Sequence, residues 1–206
     1  MKKNHFFTLI LVILFFNSSP TKAYSITGLY QDANNVLQPF SKYEGKLLLV
    51  EGFATDCPHC QDEHKELDQL WESYDGTINL LSLSVSSDDT LEKINDYLVK
   101  YPTPWDIGRD IEFSFRDKYG IQAFPSLLLF TETGEIASCH VGERSFADLS
   151  SDIDSLMADP VGYLKNRDSS CELDQFTQFL RSPLAFLLFL GVLTLSIYKI
   201  IQRMKK

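Results

Sequence analysis

The chain has 206 residues, 44% of them hydrophobic and 13% aromatic, which is enough apolar material for one globular domain with a core. All 28 acidic residues lie between residues 24 and 182, a stretch that holds only 12 of the 19 Lys and Arg residues and therefore has a net charge of −16. This charge argues against nucleic-acid binding, because proteins of that class neutralise phosphates with basic side chains.

Residues 1–23 have the pattern of a secretory signal peptide. Lys2 and Lys3 precede an apolar stretch at residues 6–16, and a short polar segment then leads to Ala23. A basic start, an apolar centre and a small residue at the cleavage position are typical of export signals. The apolar stretch is too short to span a bilayer, so we predict cleavage after Ala23. A retained N-terminal anchor is the alternative.

After a lead-in at residues 24–45, the hydrophobic pattern predicts alternating strands and helices up to residue 160. Asp88 and Asp89 are interpreted as the cap signal of the second helix. The predicted strands span residues 46–53, 78–85, 126–130 and 135–141, and the predicted helices span residues 58–74, 90–100, 112–119 and 145–157. The last two strands form a hairpin around Gly134. This order of elements predicts an α/β sandwich.

Cys57-Pro58-His59-Cys60 falls at the junction between the first strand and the first helix. If Cys57 caps the helix, its sulfur faces unpaired main-chain N–H groups and the positive end of the helix dipole, which favour the thiolate. Pro58 suits the first helical turn because its φ is already helical and no N–H is needed there. We therefore predict redox catalysis, in which Cys57 reacts with the substrate and Cys60 resolves the mixed disulfide.

His59 would place a positive charge beside Cys57, which stabilises the thiolate and makes the couple more oxidising. Two other interpretations of the motif stay open. One is a static disulfide. The other is a metal site made of Cys57, His59, Cys60 and His64, although the sequence lacks a second pair of ligands at the usual spacing. We therefore expect neither a metal nor another cofactor.

The C-terminal segment predicts a membrane anchor. Residues 183–201 are almost unbroken in apolar side chains, close to the roughly 20 residues that a helix needs to span a bilayer. The basic tail at residues 202–206 favours a cytoplasmic C-terminus, with the folded domain on the other side of the membrane. Residues 161–182 would form a juxtamembrane linker. A buried core helix is the alternative interpretation of the apolar segment.

The number of cysteines fits a protein that works outside the cytoplasm, where thiols oxidise. Four cysteines suggest one catalytic pair and one structural disulfide, between Cys139 and Cys171. Two alternatives remain for these residues. Cys139 would be a small buried apolar residue if it lies in a strand, and Cys171 would then stay free or link to another chain.

Two separated segments resemble thioredoxin. The first is LVEGFATDC at residues 49–57, and the second is YGIQAFPSLLLF at residues 119–130, followed by Gly134-Glu135-Ile136 and Val141-Gly142. On these motifs the chain is identified as a member of the thioredoxin-like superfamily, with the domain at residues 46–160. The longer stretch between the motifs, about residues 86–111, resembles the insertion of the TlpA/ResA-like periplasmic branch, whose members are often membrane-tethered. The resemblance implies a three-layer α/β/α sandwich with a central mixed sheet and a βα-type insertion, to which the predicted transmembrane helix is added.

The resemblance also implies roles for single residues. Pro125 matches the cis-proline that faces the active disulfide, which would leave the main chain of Phe124 free to pair with an extended substrate peptide. Glu51 matches a buried acid that relays a proton to or from Cys60, with an ordinary exposed Glu as the alternative. Asp56 stands where thioredoxins commonly have Trp, and its negative charge opposes the thiolate of Cys57.

Together these features predict a membrane-anchored thiol-disulfide oxidoreductase that acts on thiols or disulfides of exported proteins. We expect it in the inner membrane, held to lipid by its C-terminal helix, with the catalytic domain in the periplasm and a membrane or periplasmic redox partner. A secretory-pathway membrane would give the same signals. The direction stays open, because the active-site dipeptide resembles that of DsbA-type oxidases while the insertion and tether resemble reductases. The alternatives are a redox-inactive peptide-binding or chaperone module and a metal carrier.

Overall fold

A seven-stranded sheet organises the part of the chain that the computed structural model describes, residues 26–74 and 76–166. The strands are β1 (Leu29–Asp32), β2 (Leu37–Pro39), β3 (Leu47–Phe53), β4 (Ile78–Ser84), β5 (Asp106–Arg109), β6 (Ser126–Phe130) and β7 (Ile136–Val141). The helices are α1 (Pro58–Ser73), α2 (Leu91–Lys100), α3 (Ser114–Lys118), α4 (Phe146–Ala158) and α5 (Pro160–Asn166), and a 3₁₀ turn spans Phe40–Tyr43.

The strand order is β2-β1-β5-β4-β3-β6-β7. Strands β3, β4 and β5 are parallel, whereas β1, β2, β6 and β7 each pair with their neighbours in the antiparallel sense. Parallel neighbours need a crossover connection, and helices α1 and α2 supply it between β3 and β4 and between β4 and β5. The predicted α/β fold with a mixed sheet is therefore confirmed.

Strand β3 lies inside the sheet, between β4 and β6, and is buried along its whole length. Its side chains alternate between the two faces. Leu48 and Val50 join the core that contains Phe115 of α3, whereas Leu47 and Leu49 join the core formed with α1 and α4. A strand held on both faces gives a fixed point from which the Cys-Pro-His-Cys segment starts.

Four elements of the structure, β1, β2, β5 and α5, are not predicted by the sequence pattern. The pattern of residues 24–45 predicts no helix or strand, but β1 and β2 form a hairpin there that extends the sheet. Strand β5 lies within residues 86–111 and has only four residues, too few to produce an apolar alternation. Helix α5 falls partly in the predicted linker and buries none of its side chains, so the pattern of its sequence gave no core-facing stripe.

The predicted cap of α2 is wrong in detail. Thr90, not Asp88 or Asp89, occupies the N-cap and accepts a hydrogen bond from the main-chain N–H of Lys93 at 3.3 Å. Asp89 is buried instead, because hydroxyl and amide donors of neighbouring segments reach its carboxylate. Asp89, which the sequence pattern predicts as part of the cap, therefore makes tertiary hydrogen bonds instead.

Within the described residues no helix has the length and apolar character needed to cross a membrane. The predicted signal peptide (residues 1–23), transmembrane segment (183–201) and basic tail (202–206) lie outside the described residues. They stay predictions from sequence.

Gly108 provides a test of the contact between the hairpin and the rest of the sheet. A Cβ at this position would lie 2.7 Å from a ring carbon of buried Tyr30 and would also meet the main-chain oxygen of Gln31. We expect Gly108→Ala to lower the free energy of unfolding by about 2 kcal/mol, the usual cost of overpacking. Urea denaturation of the full-length chain measures this loss.

Gly52→Ala is the matched comparison, because its Cβ would meet mainly the end of the Ile121 side chain, at 3.0 Å. A side-chain end moves aside more easily than a main-chain oxygen, so this variant should lose less stability. An equal or larger loss in Gly52→Ala would contradict the assignment of Gly108 as the tighter contact.

Candidate active site

Cys57 is the N-cap of α1, as the sequence predicts. Its main chain is extended (φ −82°, ψ 114°), Pro58 follows as the first helical residue, and the Cys57 Sγ accepts a hydrogen bond from the Cys60 N–H at 3.2 Å. The sulfur therefore faces donors that the helix itself leaves unpaired. The local geometry is the one expected to favour a thiolate when the pair is reduced.

Cys57 and Cys60 form a disulfide in this structure, with 5.3 Å between their Cα atoms. Cys60 is fully buried, whereas Cys57 is half-buried. An incoming sulfur consequently reaches Cys57 first, and Cys60 is placed to react only with its partner. This asymmetry matches the predicted roles of attacked and resolving cysteine.

His59 has a partner that sequence reasoning missed. Its Nδ1 pairs with Oε1 of Glu143, which lies in the loop between β7 and α4. Both side chains are largely exposed, at 70% and 44%. The carboxylate of Glu143 therefore offsets the positive charge that a protonated His59 presents to Cys57.

Two more contacts hold the loop at residues 143–146 against α1. The N–H of Arg144 donates to Oε2 of Glu63 at 2.8 Å, and the N–H of Phe146 donates to Oε2 of Glu66 at 2.6 Å. These acceptors follow His59 at helical spacing on one side of α1. The helix that carries the cysteines thus fixes the position of the loop as well.

Glu51 is buried in β3, with 2% of its surface exposed, and lies on the face of the sheet that packs against α1. Ser82 Oγ donates to its Oε2 at 2.7 Å, and Trp105 Nε1 donates in turn to Ser82 Oγ at 3.0 Å. Burial raises the pKa of Glu51 to about 8; the Ser82 hydrogen bond opposes this shift and the charge of Glu63 adds to it. Glu51 can therefore hold or release a proton near neutral pH.

Glu63 is a second buried carboxyl group that sequence reasoning missed. Burial raises its pKa to about 7, against the effect of the hydrogen bond from the Arg144 N–H. A signal was present, because Cys60, Glu63 and Leu67 share the buried stripe of α1. An acidic residue on the apolar stripe of an amphipathic helix is a recognisable exception to its pattern.

The peptide bond between Phe124 and Pro125 is cis. Pro125 is buried, and Phe124 packs against the same apolar cluster as Cys57 and Cys60, together with Phe53 at the end of β3. The structure thus brings the predicted substrate-binding segment to the predicted redox pair, although 64 residues separate Cys60 from Phe124 in the chain.

Of the two cysteines in the predicted structural disulfide, only Cys139 lies within the described residues. Cys139 lies in β7, is disulfide-bonded, and packs against the core on the α3 side of the sheet. It does not join the cluster around Cys57. Its predicted partner Cys171 lies outside the described residues, so the pairing of these two cysteines stays a prediction.

His64 does not join the cysteines as the metal-site interpretation requires. It is buried among aromatic rings, with 5.3 Å between its ring centre and that of Trp105 and 5.5 Å to that of Tyr101. Burial lowers its pKa. Across residues 26–74 and 76–166, no group of three or more His, Cys, Asp or Glu residues is arranged to hold a metal ion.

Comparison with known proteins gives one family. A family model described as a thioredoxin-like domain matches residues 13–155. A curated relative, the thiol-disulfide oxidoreductase ResA of Halalkalibacterium halodurans, is 28% identical over 102 residues. The aligned region is 48% of this chain and 56% of that relative, so the match spans about half the length of ResA.

Solved structures show the same fold. StoA from Bacillus subtilis superposes with a TM-score of 0.55 and 17% identity, over 64% of this chain and 98% of StoA. The exposed lipoprotein thioredoxin of Streptococcus pneumoniae superposes with a TM-score of 0.57 and 13% identity, over 64% of this chain and 100% of that protein. At these identities the likeness concerns the fold alone.

The raised pKa of Glu51 predicts a pH-dependent stability. An acid whose pKa rises from 4.5 to about 8 on folding contributes stability below pH 4.5 and loses it as the pH rises through 8. Glu51→Gln removes this loss. Between pH 5 and pH 9 the free energy of unfolding of the variant should therefore rise relative to that of the native chain, by an amount on the order of a few kcal/mol. Urea unfolding of the full-length chain with Cys57 and Cys60 oxidised measures the difference.

Glu112→Gln serves as the control, because Glu112 is exposed. Its stability should change with pH in parallel with the native chain. If Glu51→Gln also runs parallel, the carboxyl of Glu51 does not titrate in the way its burial requires.

Proposed function

Because the chain belongs to the thioredoxin-like family, we propose that it is a thiol-disulfide oxidoreductase that works through Cys57 and Cys60. The observation that carries the proposal is the disulfide at the start of α1, in which a half-buried capping sulfur is joined to a fully buried one. The similarity to ResA supports the ResA-like branch that the sequence predicts.

The exchange proceeds through a mixed disulfide. In the reducing direction the Cys57 thiolate attacks one sulfur of a substrate disulfide, and the other substrate sulfur leaves as a thiolate and takes up a proton. Cys60 then loses its proton and attacks the Cys57 Sγ, which releases the second substrate thiolate. The substrate gains the two electrons and two protons that the cysteine pair loses.

Two buried carboxyl groups are available for the proton steps. Glu51 and Glu63 have pKa values of about 8 and about 7, so each can take up and return a proton near neutral pH. Glu63 lies one helical turn after Cys60 on the same buried stripe. We assign these groups to the proton that Cys60 loses when it resolves the mixed disulfide.

The substrate is a protein segment that reaches Cys57 beside Phe124 and Pro125. Support comes from the packing of Phe124 against the cluster that contains both cysteines. Export, and anchoring by residues 183–201 with the domain facing the periplasm, rest on the sequence signals described above. Exported proteins are accordingly the proposed substrates, and a membrane or periplasmic protein would recycle the pair.

The charges around the cysteines favour a reducing couple. Glu143 offsets the charge of His59, and Asp56 places a negative charge next to Cys57. Negative charge disfavours the thiolate, which makes the reduced form less stable and the couple more reducing. We therefore propose that the protein reduces disulfides, although its dipeptide Pro58-His59 resembles that of an oxidase.

The first test traps the mixed disulfide. Cys60→Ala removes the resolving sulfur, so cells that express the full-length variant should accumulate covalent adducts through Cys57 that disappear on treatment with a reductant. Non-reducing electrophoresis and mass spectrometry detect them. Cys57→Ala is the control and should yield none. If Cys60→Ala yields no adducts either, the result would instead support a redox-inactive peptide-binding module.

The second test concerns direction. The reduction potential of the Cys57/Cys60 couple should lie nearer the value of about −270 mV for thioredoxin than the value of about −120 mV for DsbA. Glu143→Gln removes the negative charge that offsets a protonated His59, so the Cys57 thiolate becomes more stable. The equilibrium with glutathione should therefore shift about threefold towards the reduced protein. Titration of the full-length chain in glutathione buffers measures both quantities.

Glu72→Gln is the control for charge alone, since Glu72 is an exposed residue near the far end of α1. It should leave the equilibrium unchanged. A native potential close to that of DsbA would overturn the proposed direction while leaving the exchange reaction itself in place.

A further inference from the structure

Asp89 occupies a position in the site that neither the motif nor the family match assigns. It follows β4, is only 4% exposed, and accepts three hydrogen bonds. Thr55 donates twice, from its N–H to Oδ2 at 2.9 Å and from its hydroxyl to Oδ1 at 2.6 Å. Ser84, at the end of β4, donates to Oδ2 at 2.5 Å. Both carboxylate oxygens are therefore engaged, and two of the three donors come from one residue.

Thr55 belongs to the short loop that delivers Cys57 to the helix. Strand β3 ends at Phe53, and the N–H of Cys57 donates to the main-chain oxygen of Ala54 at 3.2 Å, which closes the turn. Because Thr55 lies inside this turn, its position decides where Cys57 meets the first N–H groups of α1. Contacts that fix Thr55 therefore also fix Cys57 at the N-cap of α1.

A second set of contacts holds Thr55 from the other side. Gln61 Nε2 donates to the main-chain oxygen of Thr55 at 3.3 Å, and the hydroxyl of Tyr101 donates to Gln61 Oε1 at 2.9 Å. Tyr101 is the C-cap residue of α2. The N–H, the hydroxyl and the main-chain oxygen of Thr55 are thus all fixed.

The crossover between β4 and β5 supplies Asp89, which bonds Thr55 directly, and Tyr101, which acts through Gln61 of α1. Asp89 precedes α2, Tyr101 ends it, and Arg109 of β5 donates from Nη1 to the main-chain oxygen of Asp89 at 3.4 Å. At its start the crossover therefore contacts both the sheet and the loop before Cys57, and at its end it reaches the same loop through Gln61. Helix α2 and strand β5 both lie within residues 86–111, the segment that the sequence predicts to be an insertion relative to thioredoxin.

We propose that residues 86–111 act as a brace for the loop before Cys57, with Asp89 as the positioning residue that keeps the sulfur of Cys57 on the start of α1. The brace rests on the proposed exchange reaction, and its effect is on the balance between disulfide and dithiol. A loose loop would let Cys57 leave the N–H groups that stabilise its thiolate, so the reduced form would lose stability.

Asp89 is suited to this role by its charge and its number of acceptors. A carboxylate accepts hydrogen bonds at both oxygens, and bonds to an ionised acceptor are about twice as strong as neutral ones. In Asp89→Asn the charge is lost, so the bonds to this side chain become neutral and weaker, and an NH₂ group in place of Oδ1 would force the Thr55 hydroxyl to accept instead of donate. Shape and volume would otherwise be kept.

The test measures the equilibrium of the full-length chain with glutathione. In this reaction two glutathione thiols reduce the Cys57–Cys60 disulfide to two protein thiols and form one glutathione disulfide. Asp89→Asn should shift the equilibrium roughly fivefold towards the protein disulfide. Loss of a nearby negative charge alone would shift it the other way, because it would favour the thiolate. The sign of the change therefore separates a brace from a simple charge effect.

Asp110→Asn is the matched control. Asp110 is also 4% exposed and accepts hydrogen bonds from the N–H of Arg116 and the hydroxyl of Ser114, but it serves the start of α3. Both variants should lose stability in urea, whereas only Asp89→Asn should move the glutathione equilibrium. Equal equilibria in the two variants would overturn the brace.

Tyr101→Phe keeps the test decisive if Asp89→Asn fails to fold. It removes one hydroxyl and no charge, and it should shift the equilibrium towards the disulfide, by less than Asp89→Asn does. No shift in this variant would also count against the brace. A native chain that does not exchange with glutathione would overturn the proposed function instead, and that outcome is distinct because it appears before any variant is compared.

Discussion

The unpaired N–H groups at the start of α1 are the constraint to which the rest of the site is fitted. A helix cannot satisfy these donors itself, and here the sulfur of Cys57 accepts one of them. Strand β3, buried on both faces, fixes where the chain enters the helix. The surroundings of the Cys57 sulfur are therefore set by main-chain geometry, and side chains adjust them.

Those side chains are mostly acidic. Glu51 and Glu63 lie buried on the helix side of the sheet, while Glu143 and Asp56 lie at the surface near Cys57. The buried pair cost stability as the pH rises, because their raised pKa values mean that folding disfavours the charged forms. Such a cost is commonly retained where proton transfer is needed. The surface pair instead limit how far the helix start and His59 can stabilise a thiolate.

The placement of α2 follows from the topology of the sheet. Adding β5 parallel to β4 requires a crossover, and α2 provides it on the face that already carries α1. That placement brings Asp89, just before α2, within hydrogen-bond reach of Thr55, and Tyr101, at the end of α2, within reach of Gln61 in α1. Strand β5 and the hydrogen bonds from Thr55 to Asp89 thus both depend on the segment between β4 and α3.

The sequence by itself determined the redox motif, its place at the start of a helix, and the central strands and helices, because these depend on short-range spacing and apolar periodicity. It did not reveal β1, β2 or β5, which have too few residues for a pattern and become strands through their neighbours. Tertiary structure alone decided that Glu143 meets His59 across 84 residues and that Asp89 turns inward to Thr55 instead of capping α2. The physical reason is that a hydrogen bond between distant residues depends on how the sheet and its crossovers pack, and no local pattern encodes that packing.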